Sequence, residues 1–187
     1  MNTLIGIIGL VLIVVVLWDV FETIVLPRRV TRRVRLTRLF YRSVWQPWSG
    51  IAQQFKNNKR RETFLSIFGP LSLLVLLTLW AATLVLGFAC IHWAIGSRVG
   101  SLGGSKSFLT DLYFSGTTFF TLGLGDIAPV GAAARGITVI EASVGFGLLA
   151  LVIGYLPVLY QSFSRREVNI SMLDARAGTP PTAVELL

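Results

Sequence analysis

Two glycines two residues apart, Gly123 and Gly125, give the stretch around them an unusual chemical capacity. In an ordinary strand, successive residues face opposite sides. Glycine accepts a positive φ angle, so glycine at every second position turns the intervening carbonyls back to one side. A stack of backbone oxygens on one side can replace the hydration shell of a cation. We therefore expect cation sites formed by the carbonyls of Thr121, Leu122, Gly123 and Leu124 and by the hydroxyl of Thr121.

A short apolar stretch from Phe108 to Phe119 precedes these glycines and is predicted to be a helix. Ser107 is a suitable N-cap, and Asp111 adds an acid to the first turn. Crossing a bilayer takes about 20 residues, so this helix is too short to span and is expected to be re-entrant. Its C-terminus would direct the negative end of the helix dipole towards the cation sites.

The sequence Thr-Leu-Gly-Leu-Gly-Asp at residues 121–126 resembles the selectivity filter of potassium channels, whose usual form is Thr-Val-Gly-Tyr-Gly-Asp. It is similar to the second pore loop of two-pore-domain potassium channels. We call residues 121–126 the filter segment. The resemblance implies K⁺ as the permeant ion, held between Thr121 and Gly125, with Asp126 supporting the segment. One filter per chain is a quarter of a pore, which implies a homotetramer.

The resemblance extends over about Leu71 to Phe163 and includes departures from the family pattern. Leu124 takes the position of the usual tyrosine and cannot donate that residue's hydrogen bond, so packing alone would support the filter segment there. Tyr113 and Phe114 stand where many members have a pair of tryptophans. Phe120 replaces a common threonine and is expected to pack behind the filter segment.

The composition is that of a membrane protein, with 53% hydrophobic residues and mean hydropathy +0.71 over 187 residues. Long uncharged runs predict an all-α integral membrane fold of three transmembrane helices, a re-entrant pore helix and a filter loop. The predicted segments are an N-terminal transmembrane helix at 1–27, a basic amphipathic interface segment at 28–63, a pore domain at 64–163, and a cytoplasmic tail at 164–187. The outer helix is expected from about Leu71 to Trp93, with His92 at the membrane interface as the one candidate for external pH sensing.

Positive charge is concentrated between Arg28 and Arg61, which hold 11 of the 17 lysines and arginines and no acid. The positive-inside rule puts this segment in the cytoplasm of a multi-pass protein of the cell membrane, with the C-terminus cytoplasmic and the N-terminus external. We expect an amphipathic helix broken near Pro47, lying on the inner membrane surface and contacting anionic lipids rather than nucleic acid. Asp19 and Glu22 would pair with nearby arginines.

An alternative for the same segment is voltage sensing. Arg29, Arg32, Arg35 and Arg38 fall at every third position and resemble the S4 segment of voltage-gated channels. The run has no uncharged stretch of spanning length, which favours the surface helix.

The third long apolar stretch, from Gly136 to Phe163, is the expected inner helix. By resemblance, Gly145 is a gating hinge, Leu-Pro-Val around Pro157 is similar to the proline kink of voltage-gated inner helices, and Phe146, Leu149 and Ile153 line the cavity. Close helix packing is the other explanation for the glycines. Glu141 is an acid at membrane depth, expected to support the filter segment through a hydrogen bond to Thr117 or Thr118.

These features predict a potassium-selective channel. The alternatives are a weakly selective cation channel, because Leu124 loosens the filter segment, and a non-conducting accessory or scaffold subunit. An enzyme is not expected, because the lone histidine and lone cysteine lie in apolar helices and no nucleophile–base set is visible.

Overall fold

A computed structural model of the chain describes residues 2–25, 36–53, 58–96, 98–100 and 107–177. The elements are helix α1 (Asn2–Val20), which continues as a π-helical turn (Phe21–Val25), helices α2 (Leu36–Gln53) and α3 (Asn58–Ile95), strand β1 (Arg98–Gly100), helix α4 (Phe108–Phe119), strand β2 (Ala128–Val130) and helix α5 (Ala132–Ala177).

Three stretches in these helices are long and apolar enough to cross a membrane, namely Thr3–Ile24, Ile67–Ile95 and Ala132–Tyr155. The predicted fold class, three spanning helices with a short pore helix between the second and third, is confirmed. Two compact units are present, residues 1–145 and residues 146–187, and the second unit consists of the later part of α5 in the described range. The predicted segment limits at 27, 63 and 163 stay predictions, although α3 runs through the limit at 63.

The first two spanning helices pack together through apolar side chains, with Val16 of α1 and Leu76, Trp80 and Leu84 of α3 almost completely buried. Asp19 is also buried, at 4% exposure, and one of its oxygens, Oδ2, accepts two hydrogen bonds. The donors are Trp80 Nε1 of α3 at 3.0 Å and Thr37 Oγ1 of α2 at 2.7 Å. This carboxylate therefore joins three helices at one point.

The sequence predicts that Asp19 and Glu22 pair with arginines. Among the described residues, Asp19 instead has Thr37 and Trp80 as its partners. Glu22 accepts from Trp18 Nε1 at 2.7 Å. Burial of a charge is costly, and the hydrogen bonds from Thr37 and Trp80, both neutral donors, offset that cost for the carboxylate of Asp19. Arginines 28 to 35 lie outside the described residues.

Helix α2 continues through Pro47, so the predicted break there is wrong. Its aromatic face holds it to α3: Trp48 stacks on Phe64 with ring centroids 4.2 Å apart, and Trp45 meets the edge of Phe68 at 4.9 Å. This packing offsets the hydrogen bond that proline removes from a helix.

Strands β1 and β2 form an antiparallel pair in which Val99 lies opposite Pro129. The pair joins the chain before α4 to the chain after the filter segment. Helix α4 and the filter segment are therefore held at both ends.

Candidate functional site

Helix α4 presents the filter segment, and its limits, Phe108–Phe119, are those predicted. The Ser107 side chain accepts from the Leu109 N–H at 3.3 Å, which confirms the N-cap. At the other end the backbone folds back on the last turn, because the N–H of Thr121 donates to the Thr118 carbonyl at 3.0 Å and that of Leu122 to the Thr117 carbonyl at 2.8 Å. The start of the filter segment is therefore fixed to the helix.

The backbone of the filter segment alternates as the glycine spacing predicts. Thr121, Gly123 and Gly125 have φ angles of 56°, 55° and 77°. The positive φ at both glycines is confirmed. The positive φ at Thr121 was not predicted, and among the described residues it is the one non-glycine in this region. A β-branched residue there costs about 1–3 kcal/mol, a strain typical of functional sites.

The side chains of the filter segment point away from the rest of the chain. Leu122 and Leu124 are each 61% exposed. Phe120, expected behind the segment, is 48% exposed and meets the edge of the buried Phe119 ring at a centroid distance of 5.4 Å. The ion-binding roles of residues 121–125 stay predictions, but the positive φ angles that they require at Gly123 and Gly125 are present.

The outer end of the filter segment has a hydrogen bond to α4. Tyr113 donates its hydroxyl to Asp126 Oδ2 at 3.0 Å, and this hydrogen bond, with desolvation and the charge of Asp126, raises the pKa of Tyr113. The sequence placed Asp126 as a support but named no partner for it. Leu124 cannot hydrogen-bond, so Tyr113 supplies a brace to this end of the segment.

Tyr113→Phe is expected to make potassium flux through reconstituted protein decline faster during sustained conduction. Without this hydrogen bond the outer end of the segment is held less firmly, so the decline should be about two- to tenfold faster. Time-resolved flux from liposomes measures it, with Tyr155→Phe, which removes a hydroxyl far along α5, as control. An unchanged decline in Tyr113→Phe would show that the bond does not support the segment.

Behind α4, a completely buried polar cluster joins three helices. Glu141 of α5 and His92 of α3 are both 0% exposed, and His92 Nε2 lies 3.1 Å from Glu141 Oε2. The other oxygen, Glu141 Oε1, hydrogen-bonds to Ser115 Oγ of α4, and Ser115 Oγ also lies 2.8 Å from the Val85 carbonyl of α3. We call Val85, Ser115, Glu141 and His92 the rear cluster.

Two predictions are corrected by the rear cluster. Glu141 does lie against α4, but its partner is Ser115 and not Thr117 or Thr118. The Thr117 hydroxyl donates to the Phe114 carbonyl within α4 at 2.9 Å. His92 is not exposed at the end of α3, as an interfacial side chain would be, because it is buried against Glu141 and the edge of the Phe114 ring, with centroids 5.1 Å apart. Polar side chains that are buried in apolar surroundings form hydrogen bonds with each other.

Asp111, in the first turn of α4, is the second acid near His92 and is 7% exposed. Burial raises the pKa of Asp111, and the neighbouring imidazole of His92 opposes that rise when it is protonated. Sequence reasoning used Asp111 only as a helix-start signal. Its spacing of four residues from Ser115 places both on one face of α4, which was a usable sign of a polar contact with α3 and α5.

Gly145 lies against the end of α4. A Cβ at this position would overlap the carbonyl oxygen of Phe119, the last residue of α4. Helix α5 is continuous through Gly145, so close packing accounts for this glycine, and the hinge role stays a prediction.

The remaining predicted residues lie in the unit 146–187. Phe146 and Ile153 are 68% and 69% exposed and Leu149 is 40% exposed. Pro157 lies inside α5. Apolar side chains exposed on this unit agree with a cavity lining, a role that stays a prediction.

The candidate membrane spans and this site are those expected of an ion channel in a membrane. Residues 73–161 match the model of a family described as "Ion channel". Residues 73–161, which include the pore helix and the filter segment, are therefore similar to an ion-channel family. The match begins in α3 and ends in α5, so α1 and α2 lie outside it.

Two curated relatives are similar in part. An uncharacterised membrane protein, YdjJ, of Bacillus subtilis (strain 168) is 32% identical over 49% of this chain and 28% of its own length. Protein LctB of Geobacillus stearothermophilus is 36% identical over 40% of this chain and 62% of its own length. The chain thus covers less than two thirds of either relative. No solved structure matches.

Proposed function

We propose that this channel conducts K⁺ passively and selectively, the ions moving between sites made by the carbonyls of residues 121–124 and the Thr121 hydroxyl. The observation that carries the proposal is the left-handed backbone at every second residue, Thr121, Gly123 and Gly125, directly after a short buried helix. Ions in neighbouring sites repel each other, which allows tight coordination and rapid passage together.

The proposed assembly is a homotetramer around the filter segments. Within an apolar 18-residue stretch of the third span, Ala132–Tyr155, only 17% of the residues are buried within one chain, compared with 44% in the corresponding stretch of the second span. Leu122 and Leu124 are likewise exposed. An inner helix and a filter segment that find few partners in their own chain are expected at an interface between copies.

The test is flux from liposomes loaded with potassium. Purified protein is reconstituted and efflux is followed into sodium-containing buffer, with barium as blocker and protein-free liposomes as control. Barium-sensitive potassium efflux without sodium entry is expected. Absence of flux from particles shown to be tetrameric, with ions in the filter segment, would point to a closed gate. Absence of flux without four-fold particles would favour an accessory subunit and reject the proposal.

A weakly selective cation channel is the second candidate, and Leu124 favours it. This side chain is 61% exposed and has no polar group with which to brace the filter segment. Equal sodium and potassium flux in the same assay would establish this candidate. Restored selectivity in Leu124→Tyr would then identify the residue responsible.

We further propose that α2 lies on the inner surface of the cell membrane and contacts anionic lipids, with the N-terminus outside and the C-terminus in the cytoplasm. Tyr41, Arg42 and Trp45 of α2, together with Phe68, line an open pocket of about 490 Å³, where a cation and aromatic rings lie together. Flotation with vesicles that contain or lack anionic lipid tests this contact.

Voltage sensing by the basic segment at 28–63 is an alternative proposal. Arg29, Arg32 and Arg35 lie outside the described residues. Current recorded over a series of voltages in planar bilayers decides it, because an open probability that does not change with voltage rejects a sensor.

A further inference from the structure

The rear cluster contains more hydrogen-bond contacts than a serine can donate. Ser115 Oγ lies within hydrogen-bond distance of the Val85 carbonyl, at 2.8 Å, and of Glu141 Oε1. A carbonyl only accepts, and a serine hydroxyl has a single proton. When Ser115 donates to Val85, its contact with Glu141 is a hydrogen bond only if Glu141 supplies the proton. The two contacts together therefore point to a neutral carboxylic acid at Glu141.

The contact of the second oxygen of Glu141 also needs a donor and an acceptor. Oε2 of a neutral acid is an acceptor, and it lies 3.1 Å from Nε2 of His92, which donates when the imidazole is neutral with its proton on Nε2. Each contact then has one donor and one acceptor. Transfer of the Glu141 proton to His92 leaves the pair with the same number of protons and no net charge, but takes the donor away from Ser115.

Burial favours the states in which the pair keeps this proton. Both side chains are 0% exposed, and they belong to two of the spanning helices. An ionised Glu141 beside a neutral His92 would be a buried charge without a counter-charge.

The other described groups facing His92 do not remove the need for the proton. Helix α4 contributes Asp111, a carboxyl that interacts with His92 and supplies no positive charge, and the apolar ring of Phe114. Helix α1 packs against this end of α3 through Gly6 and Gly9, near Ala94 and Cys90, and these glycines have no titratable side chain.

The cluster is connected to the filter segment by short paths. Ser115 lies on α4, whose last residue, Phe119, is followed directly by Phe120 and Thr121. Gly145, one turn beyond Glu141 on α5, lies against the Phe119 carbonyl. A change in the hydrogen bonds of Ser115 therefore acts on α4, the helix that carries the filter segment. It acts at the interface between α4 and α5, where Gly145 also lies against Phe119.

We propose that Ser115, Glu141 and His92 are positioning residues that hold the filter segment in its conducting geometry through a single proton kept on Glu141. On loss of that proton, the Ser115 hydroxyl turns to the Glu141 carboxylate and the Val85 carbonyl loses its hydrogen bond from Ser115. Helix α4 is then released from α3, and conduction falls. This proposal rests on the proposed channel function.

The first test compares potassium efflux from liposomes between mildly acidic and alkaline pH. Wild-type flux is expected to fall about tenfold on the alkaline side, the effect of one lost buried hydrogen bond. Glu141→Gln keeps a donor towards Ser115 and an acceptor towards His92 but does not titrate, so its flux should be the same at both pH values. Ser115→Ala should give low flux at both. The matched control is Ser143→Ala on α5, whose hydroxyl donates to the Val139 carbonyl in an exposed position at 2.8 Å.

The second test does not depend on conduction. Infrared absorption of the purified protein should contain the carbonyl band of a protonated carboxylic acid that shifts in D₂O and is missing in Glu141→Gln. The band should disappear over the pH range in which the flux falls. If Glu141→Gln does not fold, the pH dependence of this band in the wild-type protein decides the matter.

Two results would overturn the proposal. One is the wild-type pH profile in Glu141→Gln, and the other is absence of the acid band at every pH at which the protein conducts. If the wild-type protein gives no flux at any pH and forms no four-fold particles but the acid band is present, the proposed channel function fails and the positioning role falls with it, while the proton on Glu141 stands.

Discussion

Gly145→Ala is expected to reduce potassium flux in reconstituted protein to less than about a tenth of the wild-type value. The added methyl group would overlap the carbonyl oxygen of Phe119, and backbone cannot move aside as a flexible side chain does. Overpacking of this kind costs about 1–3 kcal/mol, and in each chain it separates α5 from the end of α4. The filter segment that follows Phe119 would lose its position.

Gly147→Ala is the matched control for this variant. Gly147 lies two residues further along the same helix, and a Cβ there meets no heavy atom within 4 Å. Flux and the thermal unfolding temperature should both fall in Gly145→Ala and stay near wild type in Gly147→Ala. Equal behaviour of the two variants would show that the contact with Phe119 is not needed, and would return attention to Gly145 as a hinge.

Gly125→Ala is expected to abolish flux while the protein stays folded. Gly125 has a φ of 77°, and the space that an added methyl group would occupy is open, so the cost comes from the backbone and not from a clash. An L-residue in the left-handed region costs about 1–2 kcal/mol, and four copies meeting around one pore would bear about four times that. The carbonyl of Leu124 would turn away from the common side.

A D-alanine at the same position separates this cause from any effect of size, because a D-residue prefers positive φ. Semisynthetic protein with D-alanine at 125 should conduct, whereas the L-alanine variant should not. Gly136→Ala in α5, where a Cβ also meets nothing within 4 Å, is the control for a glycine in ordinary helix. Flux from the L-alanine variant equal to wild type would reject the carbonyl sites.

Local features of this chain could be predicted from its sequence because local rules determine them. Ser107 and the apolar run after it define α4, and the spacing of Gly123 and Gly125 defines where the backbone becomes left-handed. Hydrophobic length alone identifies the three spans. The family match to residues 73–161 agrees with the part of the chain that these signals mark.

The partners across helices could not be predicted in the same way. His92 appears in sequence as a polar residue near a helix end, which favours an interfacial position, and only the packing of α3 against α4 and α5 brings it to Glu141. Thr117 and Ser115 are two residues apart and both have hydroxyls, but a helix turns them to different faces, so the choice between them needs the orientation of α4. At Pro47, tertiary packing of Trp45 and Trp48 outweighs the local signal for a break.

The Asp19 junction determines how α2 acts on the rest of the unit. A single oxygen, Oδ2, accepts from Thr37 on α2 and from Trp80 on α3. Asp19, near the end of α1, therefore connects α2 directly to α3. We expect a displacement of α2, such as one caused by a change in lateral pressure, to reach α3 through this atom and the adjacent stacked rings.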